Sequence, residues 1–223
     1  MKFLGRLFYF ILLNLLVHYD GASADSFHDI VRTATGIDDT NMQTSVYLIF
    51  VALCLYGIGI FDGANVLYKL RRMENYIAIR CIKEKQLTIY IIKALGKQLL
   101  VLTFAKSVVD IFVYLIEKEC LISELIIVIM IGVLYFLATM CMGLIIAIFH
   151  AFHIKISFSY LLLVVSFVII RSIVGIPFII DMLFCPVPSM LFDFGYMALI
   201  ARLSEMAILI FALFVVLRKR EFY

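Results

Sequence analysis

Six long runs of apolar sequence, each poor in charge, set the terms for what this chain can become. They occupy residues 3–19, 45–61, 98–116, 123–149, 158–180 and 197–217. Each approaches or exceeds the roughly 20 residues an α-helix needs to cross a bilayer. A closed β-barrel would need strands of about ten residues alternating in polarity, and these runs are apolar throughout. Composition agrees: 65% of the 223 residues are hydrophobic and 16% charged, with a mean hydropathy of +1.12. A soluble domain could not cover that much apolar side chain. The expected fold is all-α, a polytopic membrane protein with six transmembrane helices in a single transmembrane domain over 1–223. No ordinary soluble catalytic domain fits beside them. The fourth run is longer than a bilayer requires, so it must tilt, kink or protrude.

Charge alternates in step with these runs. Residues 20–44 carry Asp20, Asp25, Asp29, Asp38 and Asp39 against Arg32. Residues 62–97 carry Lys69, Arg71, Arg72, Arg80, Lys83, Lys85, Lys93 and Lys97 against Asp62, Glu74 and Glu84. Acid returns at Glu117, Glu119 and Glu124, and base at Lys155 and the tail Arg218, Lys219, Arg220. By the positive-inside rule, 62–97 and both termini are expected to be cytoplasmic in a cell membrane crossed many times. The first run has a rival reading. A basic start through Arg6, an apolar core over 7–17 and Ala22-Ser23-Ala24 are the parts of a secretory signal peptide. Cleavage after Ala24 would leave five spans and move no other loop. The acidic Asp20 in the tail favours a retained helix.

Segment 62–97 is more than a connector. Its cations are mixed with Leu67, Leu70, Tyr76, Ile77, Ile79, Ile82, Leu87, Tyr90, Ile91 and Leu95. Of these, Leu87, Tyr90, Ile91 and Leu95 recur at helical spacing, with Lys93 and Lys97 off that face. The pattern predicts an interfacial helix over 86–97, lying among headgroups before turning into the third span. Contact of its cations with anionic membrane lipids, at about 1 kcal/mol each, is the simplest role.

Layout and loop together carry a resemblance. The run Leu70-Arg71-Arg72-Met73-Glu74-Asn75-Tyr76-Ile77 is followed by Arg80, Lys83-Glu84-Lys85 and Tyr90-Ile91-Ile92-Lys93. It resembles the inner segment of ABC-2-type transporter permease subunits, especially the small six-span bacterial permeases of peptide or bacteriocin export and immunity. One departure is the very short head before the first span. The resemblance implies a permease moving a peptide or hydrophobic substrate. It also implies a coupling loop, with Arg71, Arg72, Glu74, Arg80, Lys83 and Glu84 docking on a separate ATP-binding-cassette ATPase. A second permease, identical or a sister chain, completes the implied assembly. The sequence lacks a G-x-x-x-x-G-K-[ST] loop: Gly96-Lys97 has neither the upstream glycine nor the following hydroxyl residue. ATP would therefore sit on the partner, and the chain is expected to be a transport subunit without a cofactor, not an enzyme.

Charges also fall inside the runs. Lys106 and Asp110 lie four apart on one face of the third run. A lone charge at the bilayer centre costs about 3 kcal/mol or more, so mutual pairing is the expected remedy, with a place along a substrate path as the alternative. Arg171 can snorkel to the outer interface or reach Asp181. Arg202 and Glu205, three apart, make a second expected pair. Gly59 with Gly63, and Gly143 with Ala147, have the spacing that lets helices approach closely, expected within this chain before a partner.

The remaining features read more simply. Segment 181–196 holds Pro186 and Pro188 among apolar residues and is expected to dip into the outer interface. A short helix is expected within 20–44, over 26–35. Cys54, Cys81, Cys120, Cys141 and Cys185 are odd in number and scattered, which gives no disulfide framework. His150 and His153 read as interfacial packing; no metal site, H-E-x-x-H sequence or nucleic-acid-binding domain is expected. Two functional alternatives stay open. A substrate-capturing six-helix component would show a deep central pocket and no hydrophobic dimer face, and a non-transporting immunity or sensory protein would have no ATPase.

Overall fold

The structure, a computed structural model, describes residues 2–19, 26–35, 46–72, 84–116, 121–172 and 195–220. These form α1 Lys2–Tyr19, α2 Ser26–Thr35, α3 Val46–Arg72, α4 Glu84–Ile116, α5 Ile122–Ala151, α6 Ile156–Ser172 and α7 Gly195–Arg220, with no strand among the described residues. The fold is all-α. Among the described residues three helices are long and apolar enough to cross a membrane: Gln86–Ile116, Ile122–Ala151 and Tyr196–Arg218. Shorter apolar helices run over Leu4–Leu15 and Ile156–Ser166. The end of the fifth run and the proline-containing segment 181–194 lie outside the described residues.

At the centre is α5, which packs against α2, α3, α4, α6 and α7. Within the chain 61% of its apolar window is buried, against 11% for α7. The difference follows from the central place of α5, and small residues let some of its neighbours approach closely. A Cβ built on Gly63 would lie 3.7 Å from Gly143 Cα and 3.7 Å from Leu95 Cδ2. One built on Gly59 would lie 2.7 Å from Thr139 Cγ2, and one on Gly132 would lie 2.2 Å from Ser107 Oγ. The spaced glycines of α3 thus serve a crossing within the chain, α3 on α5, with Leu95 of α4 filling the notch.

Two clusters of buried side chains mark the two ends of the bundle. One contains Phe27, Ile30, Val31 and Ala34 with Tyr114, Val128, Ile131, Leu134 and Ala198. Their spacing on α2 is the i, i+3, i+4, i+7 stripe of an amphipathic helix, so α2 forms where the sequence predicts it and covers this end. The other, larger cluster continues from Phe10 and Val51 to Leu67, Ala151, Ile156 and Leu217. It holds together the end of α3, the start of α4, the turn between α5 and α6 and the end of α7. The start of α1 joins this end through Arg6, whose Nε lies 2.8 Å from Asp62 Oδ1 of α3.

One expectation is corrected. The predicted helix over 86–97 does form, but it does not turn before the third run: it is the first part of α4, a continuous helix of 33 residues. Its apolar stripe runs on without a break. Ile91, Leu95, Leu99 and Leu102 are all buried, so the face assigned to lipid is covered by the chain's own helices. Tyr90, placed on that face by spacing, is exposed. Likewise α3 does not end at residue 61 but carries its helix through Arg72.

Candidate functional site

The polar groups inside the bundle gather where α1, α4 and α5 meet. Lys106 and Asp110 sit one turn apart on α4, which puts both on its buried face. The Lys106 ammonium donates to Asp110 Oδ2, and Asn14 Nδ2 of α1 donates to Asp110 Oδ1 at 3.1 Å. Lys106 Nζ also lies 5.9 Å from the ring centroid of Tyr135, the α5 residue beneath it. That ring is fixed in turn. Its hydroxyl donates to the carbonyl of Leu55 at 2.8 Å, and it lies against Tyr56 at 5.0 Å and Phe10 at 6.3 Å. The cluster ties α1, α3, α4 and α5 together. It is not fully satisfied: Asn14 Oδ1 and Thr103 Oγ1 are buried and lack a hydrogen-bond partner among the described residues, a condition costing about 1–3 kcal/mol each.

A second buried pair lies on α7, where Arg202 Nη1 donates to Glu205 Oε2 at 2.8 Å. Arg202 Nη2 and Glu205 Oε1 find no partner among the described residues. The third pair, Arg6 with Asp62, carries no sequence signal of its own, since the residues lie in different helices. It sits beside Phe61, whose ring centroid is 5.7 Å from the guanidinium carbon, and Phe61 meets Tyr160 of α6 edge-on at 5.9 Å.

The residues expected to form a coupling loop divide by position. Arg71 and Arg72 close α3 and Glu84 opens α4, so three of the six lie on the helical arms facing segment 73–83. Their side chains, and all of Glu74, Arg80 and Lys83, lie outside the described residues. Arg171 falls in the last turn of α6, its side chain likewise outside them. Other cations are described: Lys69, Lys93, Lys97, Lys155 and Arg218 are all exposed at the same end of the bundle. Among the described residues no group of three or more His, Cys, Asp or Glu could hold a metal ion. Instead, His153 ends α5 in the left-handed region at φ 63°. There its N–H donates to the His150 carbonyl and that of Ile154 to the Phe149 carbonyl, a helix stop in which glycine is the usual residue. Cys54 and Cys141 are free thiols.

The described residues form a braced helical bundle in which the end of α3 and the start of α4 pack alongside the end of α5. No family model, curated protein or solved structure matches the chain.

Proposed function

We propose that the chain is the membrane-spanning permease subunit of an ATP-binding-cassette transporter of the ABC-2 type. It crosses a bacterial cell membrane six times with both termini in the cytoplasm. It works with a separate ATPase and a second permease to move a peptide or hydrophobic substrate.

The observation that carries this conclusion is the α3–α4 hairpin. At about 1.5 Å per residue, α3 continues about 16 Å past residue 61 and α4 begins about 20 Å before residue 98. Both overruns point the same way, and the basic segment 73–83 joins their tips. The base of the hairpin shares one buried cluster with the ends of α5, α6 and α7. Such an arm passes the movement of a docked partner directly into the bundle, whereas a helix lying loosely in headgroups would absorb it. The exposed cations at this end suit a cytoplasmic position. The sparsely buried α7 suits a second permease, and the unsatisfied groups around Asp110 suit a bundle that has another arrangement to adopt. A substrate-capturing component is less well served, because the centre of the bundle is filled by α5.

Mild detergent extraction from the native host tests the proposal. The expected result is a stoichiometric ATPase that co-purifies with the chain. Replacing Arg71 and Arg72 together by Glu releases it while leaving the permease folded. Recovery of ATPase-free monomers, or reporter tags placing residue 76 outside the cell, overturns it.

A further inference from the structure

Residues of α1 from Arg6 to Leu13, of α3 from Leu53 to Phe61, and Tyr160 and Val164 of α6 leave a groove of about 390 Å³ between them. Its walls are mostly apolar, with Leu13, Leu53, Ile58 and Val164 among them; Tyr9, Cys54 and Tyr160 also line it, and its charged residue is Arg6 at one end. Gly57 contributes to its size: a Cβ built there would meet nothing within 4 Å. From Arg6 to Leu13 the groove follows α1 for about 10 Å, roughly two thirds of one leaflet of a hydrocarbon core about 30 Å thick.

We propose that this groove holds one acyl chain of an anionic phospholipid, with the lipid phosphate on Arg6. The inference rests on the placement of these helices in a membrane proposed above. Polarity along the groove matches such a lipid, charged at the helix ends and apolar toward the middle of the bundle. Arg6 is prepared for the task. Asp62, fully buried, lies 2.8 Å from Nε as an ion pair in which neither that nitrogen nor the Asp62 oxygens make a hydrogen bond among the described residues, so it occupies none of the five N–H donors of the guanidinium. The Arg6 side chain remains 29% exposed while Asp62 has no exposure, so an arriving phosphate meets N–H groups and not the carboxylate. Phe61 beneath the guanidinium, itself braced by Tyr160, holds the fork in place. Arginine suits phosphate because its planar fork binds two oxygens at once. A neutral tail alone would have no use for a charge held at the mouth of an apolar groove.

The purified chain, stripped of lipid in neutral detergent, is titrated with phosphatidylglycerol or phosphatidylcholine of the same chain length, and retained lipid is read by native mass spectrometry. The expected result is one tightly held phosphatidylglycerol, preferred over phosphatidylcholine by about five-fold. Arg6→Lys, which keeps the charge, reduces that preference without abolishing binding. The double variant Arg6→Gln with Asp62→Asn, which leaves no unpaired buried charge, removes it. Gly57→Leu fills the groove and lowers retention of both lipids. Equal binding of the two lipids by the unaltered chain overturns the proposal, as does lipid retention indifferent to all three variants. Release of the chain from membranes by alkaline carbonate would instead overturn the membrane placement itself, and the presence or absence of a co-purifying ATPase bears only on the permease assignment.

Discussion

Asn14 donates its side-chain amide to Asp110 at 3.1 Å across 96 residues of sequence, and this bond ties the first helix to the middle of the fourth. It also completes the environment of a carboxylate that is fully buried with Lys106 as its ionic partner.

Either charge of that pair left alone should be far worse than both removed. Lys106→Met or Asp110→Ala is expected to cost about 3–5 kcal/mol, because each strands a buried ion. Lys106→Met combined with Asp110→Asn keeps an acceptor for Asn14 and should fall within about 1 kcal/mol of the unaltered chain. Thermal unfolding in one detergent across the double-mutant cycle checks this. Additive losses would show that the two side chains do not act as a pair.

Gly59 meets a neighbour that cannot give way easily. Thr139 is held by its hydroxyl, which donates within reach of the Tyr135 and Phe136 carbonyls, and its methyl faces the glycine. Gly59→Ala should therefore cost about 1–3 kcal/mol through overpacking, whereas Gly57→Ala, facing open space, should be well tolerated. Comparing the two melting temperatures separates close packing from the general effect of adding a methyl group to a helix.

His153 occupies a left-handed backbone position that carries a penalty for any residue with a Cβ. His153→Gly is expected to raise stability by about 1 kcal/mol, and His153→Val to lower it. An unchanged melting temperature in both would mean that the α5–α6 turn does not limit unfolding.

Tyr114 fastens the opposite turn. The backbone N–H of Leu121 donates to its hydroxyl at 2.7 Å, and that hydroxyl lies 2.9 Å from the Leu121 carbonyl and 3.0 Å from Glu124 Oε2. Tyr114→Phe should cost about 1–2 kcal/mol and speed amide exchange in the first turn of α5 while leaving the α5–α6 turn unchanged. Hydrogen exchange read by mass spectrometry distinguishes this local loosening from a global loss.

Much of the helical architecture was legible because apolar runs of this length form helices. The pairs Lys106–Asp110 and Arg202–Glu205 were legible too, since both partners lie on one helix at known spacing. Arg6–Asp62 and Asn14–Asp110 were not, because contacts between helices leave no periodic trace. The helix over 86–97 was found but misplaced. Its stripe of Leu87, Ile91 and Leu95 has the same form whether it faces headgroups or protein, and only the continuation through Leu99 and Leu102 separates the two cases. Tyr135, which sits beneath Lys106, passed unnoticed as one more aromatic residue in an apolar run.

Across the end away from the hairpin, α2 lies like a strap, fastened where the Tyr56 hydroxyl donates to the Ala34 carbonyl at 3.3 Å. The conformation is thus shuttered on that side. If the chain is the permease proposed above, release of these ten residues is the event that opens that side, and the Tyr56 hydroxyl is its catch.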